Sequence, residues 1–259
     1  MLDEVIISRA ITESFLKDFT EALDTQVAIV GAGPSGMTAA YYLAKNNIRT
    51  IVFEKQLRVG GGMPGGGMMF NKIIVQKEGK QILDEFGVRT REYQPGYFVA
   101  DSLETTAALC FQAIQAGARM FNLISVEDVV IKNDNRVSGL VLNWTATELA
   151  KLHVDPLVMR CKVVIDATGH SSEICNILVK KMGAKLDTED GKVRGEKSMW
   201  ADKGESSLLE NTRMVFPGLI VAGMSANAVY GSPRMGPIFG GMLLSGKRAA
   251  EIAMAEVKS

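Results

Sequence analysis

The chain has 259 residues, 47% hydrophobic and 22% charged, which suits a packed α/β core and excludes a disordered chain. Lysine plus arginine equals aspartate plus glutamate at 29 each, so no global field draws it to nucleic acid or to an acidic membrane. Three cysteines without CxxC spacing (Cys110, Cys161 and Cys175) suit a reduced cytoplasm better than a disulfide framework. No apolar run is long enough to span a bilayer, and the opening MLDEVIISRA lacks the long apolar stretch expected of a signal peptide, so a cytoplasmic location is expected.

Residues 9–24 carry Ile11, Phe15, Phe19 and Leu23 at helical spacing, which predicts an N-terminal amphipathic helix within 1–24. QVAIV (26–30), GAGPSG (31–36) with a helix to about Lys45, and RTIVFE (49–54) read as a βαβ opening. A glycine-rich loop follows, VGGGMPGGGMM (59–69), then a helix over 77–86. Extended segments surround Pro95-Gly96 within 89–100. Asp101 or Ser102 is placed to cap the next helix. Strands are expected at 118–124, 126–133 and 136–144, with a tight turn at Asn133-Asp134-Asn135 between the last two. A polar stretch (145–156) precedes one strand over 158–169, and Ser171 or Ser172 is placed to cap a helix to about Met182. Residues 184–213 read as a charged, irregular surface insert. Residues 214–224 read as one strand, 226–237 as a Gly/Pro loop and 238–257 as the closing helix. The order implies a single interrupted dinucleotide-binding domain over 1–259, Rossmann-like and of flavoprotein type, with a β-rich insert.

Gly31, Gly33 and Gly36 form GxGxxG with a strand before and a helix after, which permits a tight turn and close approach of a pyrophosphate to a helix N-terminus. Glu54 lies near the spacing expected of an acid on the ribose hydroxyls. VVIDATG (163–169) and GLIVAGM (218–224) resemble two later segments of flavoproteins. The acid that usually follows the second is replaced by Met224, which favours NAD or another ADP-bearing molecule over FAD.

The chain has two histidines, His153 and His170, on either side of the 158–169 segment. Imidazole and carboxylate are ligands that a ferrous or similar divalent ion accepts; the plainer alternative makes His170 a helix cap and His153 a solvated loop residue. Asp155 and His170 are separated mostly by predicted strand, and nine extended residues span roughly 30 Å. If both hold one metal ion, the simplest arrangement takes Asp155 from a neighbouring subunit.

Together GAGPSG, VGGGMPGGGMMF, LHVDP, VVIDATGH and VYGSPRMGPIFGGMLLSG resemble the thiamine thiazole synthase family, in its sulfide-using archaeal and bacterial branch, over nearly the full length. The resemblance implies that NAD is a substrate. Nicotinamide leaves, the remaining ADP-ribose condenses with glycine at a ferrous iron, and sulfur addition with loss of water gives an ADP-thiazole carboxylate. It implies that Ser35, Glu54, Lys55 and Gly62 hold the ADP part, with Val126, Met224 and the segment His153-Val154-Asp155 near it. It further implies that Asp155 and His170 bind Fe(II), that Asp155 comes from an adjacent protomer of a homo-oligomer (an octamer in the family), and that Arg234 holds the glycine carboxylate through its guanidinium fork. Members that sacrifice their own sulfur carry a cysteine two residues before the metal aspartate. Here that residue is His153, so sulfide from solution and repeated turnover are expected. His153 either moves protons, as its ordinary pKa near 6.5 suits, or only fills space. A flavin oxidoreductase on the same scaffold and a non-catalytic NAD-binding module are the competing readings.

Overall fold

The computed structural model of the chain describes residues 1–132 and 135–258. Helix α1 (Glu4–Ala22) begins at Asp3, whose carboxylate accepts hydrogen bonds from the Val5 and Ile6 amides. It starts earlier than the apolar spacing indicates, because this side chain relieves the orphan amides of the first turn. Strand β1 (Val27–Val30), helix α2 (Pro34–Lys45) and strand β2 (Thr50–Glu54) form the expected βαβ unit. Both strands are buried at every position, as parallel strands covered on two faces must be.

Strand β3 (Lys72–Val75) and helix α3 (Lys77–Glu85) lead to the hairpin β4 (Thr90–Gln94) and β5 (Tyr97–Asp101), which turns at Pro95-Gly96. Asp101 caps α4 (Ser102–Gln115) by accepting from the Leu103 and Glu104 amides. Strands β6 (Arg119–Asn122), β7 (Ile124–Ile131) and β8 (Val137–Trp144) follow. Of the turn expected at 133–135, Asn133 and Asp134 lie outside the described residues.

The strand expected over 158–169 is two strands in different sheets. Strand β9 (Leu157–Arg160) follows the short helix α5 (Thr145–Leu149) and pairs with β8; β10 (Val163–Asp166) pairs with β1. Between them the Cys161 amide donates to the Ser138 carbonyl, and the Lys162 and Val163 amides donate to Gln26, so the chain changes sheets without orphaning its backbone. No glycine or proline marks this crossing, so apolar patterning alone runs the two strands together. After α6 (Glu173–Met182) comes the segment read as irregular, and it contains helix α7 (Ala201–Asn211), with Gly204 and Leu208 buried. The expected strand over 214–224 is a hairpin, β11 (Met214–Phe216) and β12 (Leu219–Val221), folded at Pro217-Gly218. Helix α8 (Met224–Tyr230) occupies the first part of the expected loop, and α9 (Gly240–Lys258) closes the chain.

Three sheets result. The largest runs β11-β12-β10-β1-β2-β6, parallel except at β11. The β-rich insertions form two antiparallel three-stranded sheets, β3-β5-β4 and β7-β8-β9. Strand order reverses at β1, which lies between β2 and β10. A Rossmann-like sheet binds ligands outside the carboxyl ends of its strands at such a switch point. Helix α2 packs on α9 and α4 and covers one face. Among the described residues no helix is long and apolar enough to cross a membrane.

The start of α9 rests on a buried carboxylate. One oxygen of Glu205 accepts from the Gly241 amide and the Gln76 side chain, while its other oxygen and the Gln76 carbonyl oxygen are buried without partners. Burial raises the Glu205 pKa above its ordinary 4.5, against the two hydrogen bonds that lower it. The folded state therefore binds this proton more tightly than the unfolded state, and Glu205's contribution is lost as pH rises from 4.5 through the folded pKa. A Glu205→Gln chain keeps the acceptor and adds a donor for Gln76. Its urea midpoint is expected to exceed that of the parent at pH 7.5, with the difference gone at pH 4. An equal or lower midpoint at pH 7.5 would refute this account.

Candidate active site

At the carboxyl ends of β1, β2 and β10 lies a cavity of about 530 Å³, within the usual range of small-molecule sites. Its dinucleotide end is built by sequence-local geometry. A Cβ at Gly36 would sit 2.0 Å from the Gly31 carbonyl oxygen, so only glycine lets α2 leave the strand this closely. At Gly33 and Gly62 an added Cβ meets nothing within 4 Å; both line open space that a methyl group would begin to fill. Glu54 is buried at the end of β2. Its Oε2 accepts from the Ala32 amide at 2.9 Å and its Oε1 from the Gln56 amide at 2.9 Å, which fixes the carboxylate against the glycine turn. Lys55 pairs with Glu173 at the cavity edge. Burial works against the Lys55 charge, but Glu173 outweighs it and the ammonium pKa is raised.

The opposite wall is set by Asp166, the last residue of β10 and fully buried. Its Oδ2 accepts from the Ile174 and Cys175 amides, both at 3.1 Å, and thus caps α6. Its Oδ1 accepts from the Thr168 amide, the Thr168 hydroxyl and the Ser225 hydroxyl at 3.1, 2.7 and 3.1 Å. Ser172 stands at the N-cap position in the left-handed region (φ 43°), but its side chain does not cap the helix. The cap reaches in from the preceding strand, where local spacing does not reveal it.

The Thr168 turn leads to His170 in a short 3-10 segment, Gly169–Ser171. His170 Nδ1 lies 2.6 Å from Glu196 Oε1. Arg234 Nε lies 3.9 Å from the other Glu196 oxygen, and the Arg234 backbone is held by bonds to Lys197 and Trp200. The one cavity is therefore lined by Gly31, Gly33, Ser35, Glu54, Lys55, Gly62, Val126, His170, Met224 and Arg234, with Gly36 packed directly behind the turn. Met224 opens α8 where many flavoproteins carry an acid.

Asp155 and Val154 are elsewhere. They are exposed and line a separate hollow of about 240 Å³ with Phe19, Asn143, Trp144 and Leu157. His153 is exposed and lines neither cavity. Among the described residues no three His, Cys, Asp or Glu gather as a metal cluster. One chain therefore offers a metal at the cavity a single imidazole, backed by a carboxylate on Nδ1 and free at Nε2. That is a suitable ligand, and a complete set needs further donors. Glu196 and Asp166 are polar groups that sequence reasoning passed over. Asp166 lay within the VVIDATG motif, whereas nothing around Glu196 sets it apart from other surface charges.

The family model described as "Thi4 family" matches residues 8–239. The chain belongs to the Thi4 family. It is 57% identical over 257 residues to the thiamine thiazole synthase of Methanothermobacter thermautotrophicus, covering 99% of both chains. It is 53% identical over 259 residues to that of Pyrococcus horikoshii, covering 100% of both. The crystal structure of Thermovibrio ammonificans THI4 superposes with a TM-score of 0.98 at 52% identity over the whole of both chains. A geranylgeranyl bacteriochlorophyll reductase-like protein from Thermoplasma acidophilum, at TM-score 0.56 and 16% identity, shares the fold alone.

The cysteines of this Thi4 chain do not line the cavity. Burial pushes the Cys161 thiol up to about 12 and raises Cys175 well above its usual value, where Asp166 adds repulsion. Burial also raises the half-exposed Cys110. Thiolate is the reactive form. Iodoacetamide at pH 8 is therefore expected to alkylate at most one thiol per folded chain and three after denaturation, as read by intact mass; two or more fast alkylations of the folded chain would contradict the burial.

Proposed function

We propose that the chain is a sulfide-dependent thiazole synthase, converting NAD, glycine and sulfide to an ADP-thiazole carboxylate and nicotinamide at a ferrous iron. The observation that carries this reading is the meeting of the dinucleotide turn, His170 and Arg234 on one cavity. The pyrophosphate lies at the α2 N-terminus against Gly31, Gly33 and Ser35, where orphan amides and the helix dipole favour an anion. Glu54, already oriented by the Ala32 amide, has acceptor capacity left for the ribose hydroxyls. Lys55 and Gly62 flank the ADP part, and Val126 and Met224 form apolar walls. Arg234 takes the glycine carboxylate through its guanidinium fork.

His170 and Asp155 are the iron ligands, with Asp155 supplied by a second copy of the chain. Two facts support that division. Asp155 does not reach the His170 cavity of its own chain, and the loop around it exposes Leu149, Leu152, Val154, Leu157 and Val158. The α1 face beside it exposes Ile11, Phe15 and Leu16. Contiguous exposed apolar surface of this kind suits a subunit interface. Bound iron supplies Lewis-acid polarisation at the cavity.

Sulfur comes from sulfide in solution. His153 stands where self-sacrificing members carry cysteine, and the three cysteines lie off the cavity with raised pKa values. Turnover is therefore repeated, in a reducing cytoplasm, and His153 is a candidate for proton movement during the dehydrations. Mixed oligomers of Asp155→Ala and His170→Ala chains are expected to recover part of the activity that each variant lacks, because some interfaces then pair two intact ligands. Verified mixed oligomers with no product above either variant alone would sink the shared site.

A further inference from the structure

We propose that Glu196 is a positioning residue that anchors the iron ligand and the glycine anchor to each other, so that one carboxylate sets the distance between metal and substrate carboxylate. This inference rests on the proposed thiazole synthase reading. Glu196 presents Oε1 to His170 Nδ1 at 2.6 Å and Oε2 to Arg234 Nε at 3.9 Å. The Glu196 side chain is 13% exposed, against 55% for His170 and 56% for Arg234. An ion pair between exposed partners contributes little. Here the carboxylate is the member shielded from solvent, and the two more exposed side chains share it.

The backbone on both sides of Glu196 is pinned. The Arg194 and Gly195 amides donate to Val229 and Ala228 at the end of α8. Lys197 bridges to the Ser232–Arg234 segment, its amide donating to the Ser232 carbonyl and its carbonyl accepting from the Arg234 amide. The carboxylate is thus fixed relative to the loop that carries Arg234 as well as to His170.

Each contact has a chemical consequence. A proton held on Nδ1 leaves the Nε2 lone pair for the metal and makes the imidazole a better donor. Engaging Arg234 through Nε leaves both terminal nitrogens for a substrate carboxylate. The negative charge between them offsets the repulsion between a guanidinium and a divalent cation brought into one small site.

The test uses Co(II) as a coloured stand-in for Fe(II), titrated into wild type, His170→Ala, Glu196→Ala, Glu196→Gln and Glu196→Asp, each as the full assembly. The glycine KM and the NAD dissociation constant are measured beside it. In Glu196→Ala, Co(II) affinity is expected to fall about 10–100-fold, and the glycine KM to rise about tenfold for a loosened charged contact. The NAD dissociation constant should stay within about twofold of wild type, because Glu196 is not among the cavity-lining residues. Glu196→Asp should recover part of both losses. Should the Ala chain fail to fold, Glu196→Gln, which keeps the shape and loses the charge, is expected to show both losses in smaller measure. Co(II) affinity and glycine KM that both stay at wild-type values overturn the proposal, as does a change confined to one of them. Failure of the iron reading looks different: wild type itself would then give no Co(II) band that His170→Ala removes, which overturns both.

Discussion

The Asp166 carboxylate stands where a strand, two helices and the candidate metal-ligand turn meet. Five hydrogen bonds converge on it, from the amides that begin α6, from Thr168 on the way to His170, and from Ser225 in α8. Donors around a buried carboxylate offset the cost of taking it out of water. These bonds hold β10, α6 and α8 in one arrangement, and the far wall of the cavity follows from it. The near wall depends on a different constraint, the 2.0 Å clearance that forbids a side chain at Gly36. Between the two walls lies the space at the reversal of strand order, where a parallel sheet leaves its carboxyl ends open.

The chemistry follows from what fills that frame. Met224 at the start of α8, with His170 and Arg234 facing the same space, is the ground on which the proposal of a reacting ADP-bearing substrate rests. The two imidazoles stand in unlike surroundings. His170 is tied to Glu196 at the cavity, while His153 sits on the exposed loop that also carries Asp155. The parts of the proposed site therefore line two hollows that share Ile124, and the proposed assembly is one means of completing it.

Much of the frame was legible in the sequence because its signals are local. GAGPSG, Glu54 and the apolar strands beside them fix a βαβ unit within 29 residues, 26–54, and Asp101 caps its helix from the adjoining position. The errors arose where the deciding contact is distant. The break between β9 and β10 is set by Ser138 and Gln26 accepting the Cys161, Lys162 and Val163 amides, which no pattern within 158–169 encodes. Helix α7 carries a small, interrupted apolar face in a charged stretch, and it is helical because Leu208 and Gly204 pack inward. Glu196 is one carboxylate among many until folding sets it beside His170 and Arg234. The strand-length argument for separating Asp155 from His170 loses its premise, because the expected strand is two short strands in different sheets; the two residues nonetheless line different hollows, which share Ile124.

The most direct measurement is mass spectrometry of the small molecules formed when the purified protein is given NAD, glycine, sulfide and Fe(II) without oxygen, then denatured. The account predicts free nicotinamide and an ADP-linked thiazole carboxylate in excess over protein chains, with the polypeptide mass unchanged. NAD returned intact, or a bound flavin in its place, would contradict it.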